Sequence, residues 1–510
     1  MYDQFVNYDW SKGLAGSGMI DFSSVTTRYE AFSPEIAESF EIPEIGTWIF
    51  KIRRGVHFAL DPTNEASRLV NGRELTADDV VWNVRRLHTD PAFANSAPRF
   101  TWPAMSKAVT AEKTGPWEVT LKTPVDPWTA FFWVVWGGCS QNMYAPEVTQ
   151  KYGDAENWQH MVGTGPFMVA DYVSQSVATM KRNPNWYKTD PVGPGKGNQV
   201  PYIDMLKLLI VPDLSTRLAV MRTGKADWVS EIPAEDARSL LKTNPKLQYK
   251  KFLTTGIGIY LRPDKAELPF KDKRVRQALM MATDYESMKN DLYVGDAETR
   301  FWPVAPAVEW LFPPIDKLPE SVRALYKYSP ERAKQLLTEA GYPNGFKTKM
   351  IVWNTSTHMD AAQVLKATWA KVGIDLEIQP REFSVYTAIF NGRSWDEMLM
   401  YTLSTTSIVQ IFEMAPMRGP TYRINDPVVL KAYDDMQKNV FIDMPKVDEI
   451  YRGVVPHIMD EAHIIPVASP YSYTLWQPWV KNHHGETGSG LWPPYVWVDQ
   501  DLKEQMTGRR

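Results

Sequence analysis

The sequence predicts an α/β protein of more than one domain, on three observations. Its 510 residues exceed what one hydrophobic core grows to, and length alone suggests about three domains. Apolar residues recur at period two in some stretches and near 3.6 in others, and the two kinds alternate along the chain. Residues 346–380 read strand, helix, strand, an order whose two strands lie parallel. Hydrophobic residues make up 44% of the chain and charged residues 23%, as in an ordinary globular protein. A formal net charge of -4 argues against a general nucleic-acid binder, which would carry a basic patch. The densest apolar run, "WTAFFWVVWGGC" (128–139), stops short of the roughly 18 residues of a spanning helix. The opening "MYDQFVNYDW" has neither the basic start nor the apolar centre of a signal peptide.

Taken in order, the opening segment reads as a strand or short helix, and "TWIFKIRRGVHF" (47–58) as a strand turning at Gly55. A helix follows: Thr76 is a good N-cap, Asp78 and Asp79 suit its first turn, and Val80, Val81, Val84 and Leu87 share one face. "WEVTLKTPVD" is a strand closed at Pro124, completing a small α/β unit over about 34–161. "GTGPFMVADY" (163–172) resembles a phosphate cradle at first sight. The third small residue is replaced by Met168, however, Pro166 removes a donor, and the alternation that follows is a strand's. The pair Gly163 and Gly165 therefore reads as a turn into the hairpin "MVADYVSQSVATMKRN". After a Gly/Pro-rich loop come the strand "IDMLKLLIVPD", a helix "LSTRLAVMRTG" ended by Gly224, and "ADWVSEIP".

A second α/β unit opens near residue 256. "DKRVRQALMMATDYESM" reads as one helix; "SPERAKQLLTEAGYPNG" is another, with Ser329 as cap, Pro330 at its first position and Gly341 past its end. "FKTKMIVWN", "HMDAAQVLKATWAKVG" and "IDLEIQP" form the strand–helix–strand unit, and the last 40 residues return to short strands and aromatic loops.

Chemistry-bearing residues are few. One cysteine, Cys139, excludes an intrachain disulfide and a cysteine-based zinc site, and reads as a small buried hydrophobe. His457, Asp460, Glu461 and His463, and the run "NHHGE" (482–486), lack the spacing that sets two ligands on one helical face, and both read as structural. No Gly-x-Ser-x-Gly elbow occurs. No catalytic residue, metal or cofactor is expected. Twenty Trp, 23 Tyr and 20 Phe stand in a chain with 38 Pro, many in proline-flanked contexts such as "FTWPAM" and "GLWPPYVWV". Such aromatics either line a ligand cleft or staple loops to domains.

Six blocks, in order, resemble one family: "SPEIAESFEIPEIGTWIFKIRRGVHF", "NGRELTADDVVWNVRRL", "VGTGPFMVADY" with "MKRNPNWY", "TRLAVMRTGKADW", "DKRVRQALMMATD" and "SPERAKQLLTEAGYPNG". They resemble the large substrate-binding proteins of ABC importers, extracellular solute-binding family 5, which includes oligopeptide-, dipeptide-, nickel- and oligosaccharide-binding members. The resemblance implies a two-lobed periplasmic-binding-protein clamp with an extra α/β subdomain on the first lobe. Lobe I would combine 1–33, 162–255 and 473–510, with 34–161 as the extra subdomain and 256–472 as lobe II. Strand connections would act as hinges, and ligand would bind between the lobes. The implied protein is a monomeric, non-catalytic, periplasmic or extracytoplasmic receptor that hands a small-molecule ligand, a peptide or oligosaccharide, to an ABC permease in the membrane. The family's first strands, export signal and lipid-anchor cysteine have no counterpart here, so a start further upstream is expected, with better solubility and tighter binding once restored. Residues 59–70 lengthen a join that relatives make directly. A carbohydrate-active hydrolase and a peptide sensor or chaperone-like module stay open as alternatives.

In peptide-binding relatives an aspartate after the strand reading here "WDEMLMYTLSTTS" holds the ligand's ammonium group. The matching position is about Thr405, and no acid occurs from Leu399 to Gln410. A desolvated ammonium needs a charged partner. The hydroxyls of Tyr401, Thr402 and Ser404 point instead to a neutral oligosaccharide or an N-blocked peptide. The matching blocks also nominate Trp353 and Asn354 at the end of a lobe II strand, Phe383 as a pocket wall, Trp228 ending a lobe I strand, and Tyr471. Thr405 completes the candidate set.

Overall fold

The computed structural model describes residues 2–22, 29–44, 46–90, 109–123, 142–153, 157–254, 256–300, 302–306, 308, 310–403, 425–487 and 491–510. Cys139 and Thr405 lie outside the described residues. The strand–helix–strand unit forms as expected. Strand Phe346–Trp353, helix Ser356–Ala370 and strand Ile374–Arg381 follow one another, and the strands pair in parallel from Phe346↔Ile374 to Trp353↔Arg381. They belong to a five-stranded sheet in the order Ile374–Arg381, Phe346–Trp353, Met398–Leu403, Gly256–Tyr260, Ile464–Val467. Strand Gly256–Tyr260 is antiparallel to both neighbours. It is buried along its whole length, and a Cβ at Gly258 would come within 2.4 Å of Leu403 Cδ1.

Both faces of the sheet's centre are covered, which is why strands Gly256–Tyr260 and Ile464–Val467 are apolar on both sides, whereas the edge strand Ile374–Arg381 exposes Asp375 and Glu377. Met350 and Val352 join one core with Ala361, Leu365 and Trp369 of helix Ser356–Ala370. Ile351 and Trp353 face another core holding Tyr386 and Phe390 of helix Phe383–Gly392. Consecutive connections thus run over opposite faces.

The expected helix over 272–288 breaks. Lys273–Met281 stops, and Asp284 caps a second short helix, Tyr285–Ser287, by accepting from the Ser287 amide. Thr283 intervenes: its hydroxyl donates to the Leu279 carbonyl (2.8 Å) and accepts from Trp369 Nε1 (3.0 Å). Polar side chains outcompete the helical ladder at that point.

A second sheet has Ser469–Trp476 at its centre, flanked by Trp228–Pro233 and Gln248–Leu253, with Ala297–Glu298 also on the central strand. Trp228 opens its strand rather than ending one. Two connections cross between the sheets side by side, one after Leu253 into Gly256–Tyr260, the other after Val467 into Ser469–Trp476. They are clasped together. Thr254 donates to the Pro470 carbonyl from its amide (3.2 Å) and its hydroxyl (2.9 Å). Ser469 Oγ returns a bond to the Thr254 carbonyl (3.2 Å). The change of sheet falls at Ala468, and the strand after it runs unbroken through residue 472.

Within 34–161, strands Ala37–Glu44, Thr47–Ile52, Glu118–Lys122 and Thr110–Gly115 form an antiparallel sheet in that order. Helix Ala77–His88 carries the expected cap, with Thr76 and Asp79 in a capping box, and buries Val80, Val81, Val84 and Leu87. The segment 59–70 contains a short helix, Glu65–Val70, capped by Asn64. Gly163 and Gly165 lead into the hairpin Phe167–Val173 and Val177–Arg182, a strand and not a helix. The Gly163 carbonyl accepts from the Ala59 amide at 2.8 Å, which ties the turn to the subdomain.

Candidate functional site

In open α/β sheets, ligands bind beyond the carboxyl ends of the parallel strands, where successive connections leave toward opposite faces. The five-stranded sheet has such a point between Phe346–Trp353, followed by helix Ser356–Ala370 on one face, and Ile374–Arg381, followed by helix Phe383–Gly392 on the other. Trp353, Asn354 and Phe383 stand there. The parallel register sets Trp353 opposite Arg381, so Phe383 is only two residues beyond Trp353's partner. The Trp353 and Phe383 ring centroids are 4.9 Å apart. Asn354 donates its amide N–H to the Arg381 carbonyl (3.1 Å) and its side chain to Glu382 Oε1 (2.6 Å). Phe383 is 56% exposed, so one face of its ring is open beside Trp353.

Below these residues lies an aromatic floor. Trp353 stacks at 6.0 Å on Tyr386, Tyr386 at 4.8 Å on Tyr401, and Tyr401 at 3.7 Å on Phe390. Tyr386 anchors it by donating its hydroxyl to the Met400 carbonyl (2.7 Å). Burial raises the Tyr401 phenol above its usual pKa, so it presents a neutral hydroxyl. His358 packs under Trp353 at 5.3 Å, and burial pushes its imidazole down to about 4. The floor is thus uncharged at neutral pH.

Thr402 sits on the same strand as Tyr401, and its carbonyl accepts from Tyr260 Oη at 2.9 Å. The other candidates lie in the second sheet. Trp228 pairs with Trp476 across strands and its ring meets Trp492 at 5.3 Å and His483 at 6.3 Å. His483 forms a fully buried pair with Glu486 at 2.8 Å. Tyr471 follows the clasped crossing, with Lys251 Nζ 4.3 Å from its ring centroid. The structure therefore gathers Trp353, Asn354, Phe383 and Tyr401; Thr402, next on the strand, turns its side chain to the sheet's other face, and Trp228 and Tyr471 lie in the second sheet. Sequence reading missed Tyr386, Phe390, His358 and Glu382. The spacing of Phe383, Tyr386 and Phe390, three then four residues, is the helical signal that would have found two of them.

Two sheets joined by paired crossings, with an aromatic cluster at a strand-end switch point, are the architecture of a clamp-type solute-binding protein. Residues 31–409 match the model of bacterial extracellular solute-binding proteins, family 5, and the chain belongs to that family. Among characterised relatives, it is 29% identical over 399 residues to heme-binding protein A of Haemophilus influenzae, covering 74% of this chain and 67% of that one. It is 27% identical over 370 residues to the glutathione-binding protein GsiB of Escherichia coli O157:H7, covering 71% of this chain but only 64% of that one. Among solved structures, HbpA2 of Haemophilus parasuis superposes with a TM-score of 0.74 at 22% identity, over 98% of this chain and 93% of that one. DppA of Helicobacter pylori, an ABC transporter-associated periplasmic binding protein in complex with the peptide STSA, gives 0.69 at 21% identity, over 98% and 92%. The fold is that of the two-lobed periplasmic binding proteins. No helix among the described residues is long and apolar enough to cross a membrane.

Proposed function

We propose that the chain is the extracytoplasmic receptor of an ABC importer, closing two hinged lobes on a peptide-type solute and delivering it to a membrane permease. Lobe I would combine 1–33, 162–255 and the chain after the Ala468 crossing with the subdomain 34–161, and lobe II would run from 256 to that crossing rather than to residue 472, the clasped crossings serving as hinges. The observation that carries this reading is the family match over residues 31–409. Relatives bearing the names heme-binding, glutathione-binding and dipeptide-binding favour an amide- or carboxylate-bearing ligand. The oligosaccharide expectation rests on the residues alone.

Trp353 and Phe383 would stack on flat or apolar parts of the ligand, Asn354 and the hydroxyls of Tyr401 and Thr402 would supply hydrogen bonds, and Thr405, Trp228 and Tyr471 would complete the contact from neighbouring loops and the other lobe. An uncharged floor favours a ligand whose amino end is blocked or tied up in an amide. A thermal-shift screen of free and N-blocked oligopeptides, γ-linked peptides, porphyrins and oligosaccharides tests the class. A ligand at 100 times its Kd adds about 2.7 kcal/mol to stability. Small-angle scattering of the monomer should then show compaction on saturation. Binding by an oligosaccharide alone would overturn the peptide-type reading, and turnover of the bound compound would overturn the receptor reading.

A further inference from the structure

Helices Pro427–Gln437 and Met444–Glu461 pack against one another as a hairpin, joined by the turn 438–443. Its open end is tied. Asp426 caps the first helix, its Oδ1 accepting from the Val428 (2.9 Å) and Val429 (3.2 Å) amides. Its Oδ2 lies 2.7 Å from His457 Nε2 on the second helix and 3.5 Å from His463 Nε2, just beyond the left-handed Ala462 (φ 48°). Ala432, Tyr433, Val447, Tyr451 and Val455 bury the hairpin's inner side in the core that also holds Tyr386. Held at its base and along its length, the hairpin presents its tip as a fixed point.

That tip is tightly turned. The Asn439 carbonyl accepts from the amides of both Ile442 (3.0 Å) and Asp443 (2.8 Å), and Val440 is fully buried in the hairpin's own core. The next residue, Phe441, stands at φ 63°, a conformation that costs energy for a bulky side chain. Its ring meets Trp48 edge to face, with centroids 5.2 Å apart and planes at 85°. Trp48 lies on strand Thr47–Ile52 of the 34–161 subdomain and is fully buried. Phe441 thus packs against two cores, that of the hairpin and that of the subdomain. Phe32, which opens the short strand Phe32–Pro34 leading into the subdomain, packs against the same two. The neighbouring Ile442 is 74% exposed, so the tip engages the subdomain through the Phe441 ring.

We propose that Phe441 is a latch: seated beside Trp48, it holds the subdomain 34–161 to lobe II and raises the closed fraction of the ligand-free chain. The proposal rests on the two-lobed, hinged reading above. The crossings at Thr254 and Ala468 join the lobes through the backbone, whereas the Phe441 contact is one that opening must break. An edge-to-face aromatic pair suits a reversible contact, because its loss shifts an equilibrium only about two- to tenfold. The positive φ persists where surrounding contacts impose it, as at clamps and switches. Phe441 is not one of the crevice residues, so it tunes solute affinity through the closed fraction rather than by touching solute.

The test uses the full chain without added solute and the variant Phe441→Gly, which removes the ring while glycine accepts the positive φ without strain. Small-angle scattering should give a larger radius of gyration for the variant. Hydroxyl-radical footprinting should oxidise its Trp48 about twofold faster or more. Ile442→Ala, a change at the same tip that leaves the ring in place, should match the native chain in both measurements, and circular dichroism checks that all three chains are folded. An unchanged radius of gyration in Phe441→Gly, whatever the labelling of Trp48, would overturn the latch; so would an Ile442→Ala chain expanded to the same extent. The receptor reading fails separately, if no compound of the solute screen binds the native chain.

Discussion

Replacing His358 by leucine should flatten the acid limb of the stability curve. His358 is 6% exposed, lies 5.3 Å from Trp353 and 6.3 Å from Tyr386, and is pushed by burial from 6.5 down to about 4. An unfolded chain binds the proton more readily than the folded one. The advantage of the folded state is therefore complete above the unfolded value and is lost as pH falls through 6.5 toward 4. With those two values, the loss between pH 7.5 and 4.5 is on the order of 2.5 kcal/mol. The packing change made by leucine is independent of pH and cancels in the comparison. Chemical unfolding at both pH values, followed by tryptophan fluorescence, should show the native chain losing that much more than His358→Leu. Equal losses in the two proteins would refute the buried, neutral imidazole beneath the floor.

Lys188→Met would leave Asp3 and Glu35, both buried, without the ammonium that pairs with Glu35. A loss on the order of 3–5 kcal/mol is expected. Because desolvation and the neighbouring Glu35 lift the Asp3 carboxyl to about 7, the deficit should grow from pH 5 to pH 8, and a deficit that shrinks would sink the argument. Gly345→Ala sets a Cβ 1.9 Å from the Gly373 carbonyl oxygen at φ +73° and should cost more than about 2 kcal/mol. Gly341→Ala, at φ +94° with open space around it, should cost only about 1–2 kcal/mol; equal thermal shifts would contradict the steric account. Trp353→Ala should weaken solute binding by more than about 1 kcal/mol, measured by calorimetry with the best ligand of the screen. Thr405→Asp should improve binding of free-amine peptides, and an unmodified peptide bound tightly by the native chain would count against the uncharged-floor argument.

What the sequence disclosed follows from how local each signal is. The helix at 77–88 announced itself because cap, acidic first turn and apolar face agree within twelve residues. The parallel unit at 346–381 was equally legible, since its helix and strands keep distinct periods. Helix Met444–Glu461 was not read, because it contains Pro456 and Gly453, which look like punctuation. Burial of Val447, Tyr451, Val454, Val455 and Ile458 overrides that local cost. Helix Phe383–Gly392 was missed for a different reason. Its β-branched and aromatic residues suit a strand as well as a helix, and only packing against the sheet decides between them.

The two side-chain clusters differ in the same way. Trp353 and Phe383 lie thirty residues apart, yet a parallel register and a helix start bring their rings to 4.9 Å. Blocks shared with a family supply that register in advance, so both residues could be nominated before any coordinates. Asp426 had no such guide. The sequence joined His457 to Asp460, Glu461 and His463 because they are neighbours along the chain. Asp460 and Glu461, however, turn to Lys273 and Arg276. The carboxylate that meets the histidines is instead the N-cap of another helix, which sequence spacing marks only as a helix start. A capping aspartate has one oxygen committed to amides, and the second meets other side chains only when tertiary packing delivers them. Here a single left-handed residue, Ala462, delivers His463 to it. The convergence is therefore a property of the fold, invisible to motif spacing.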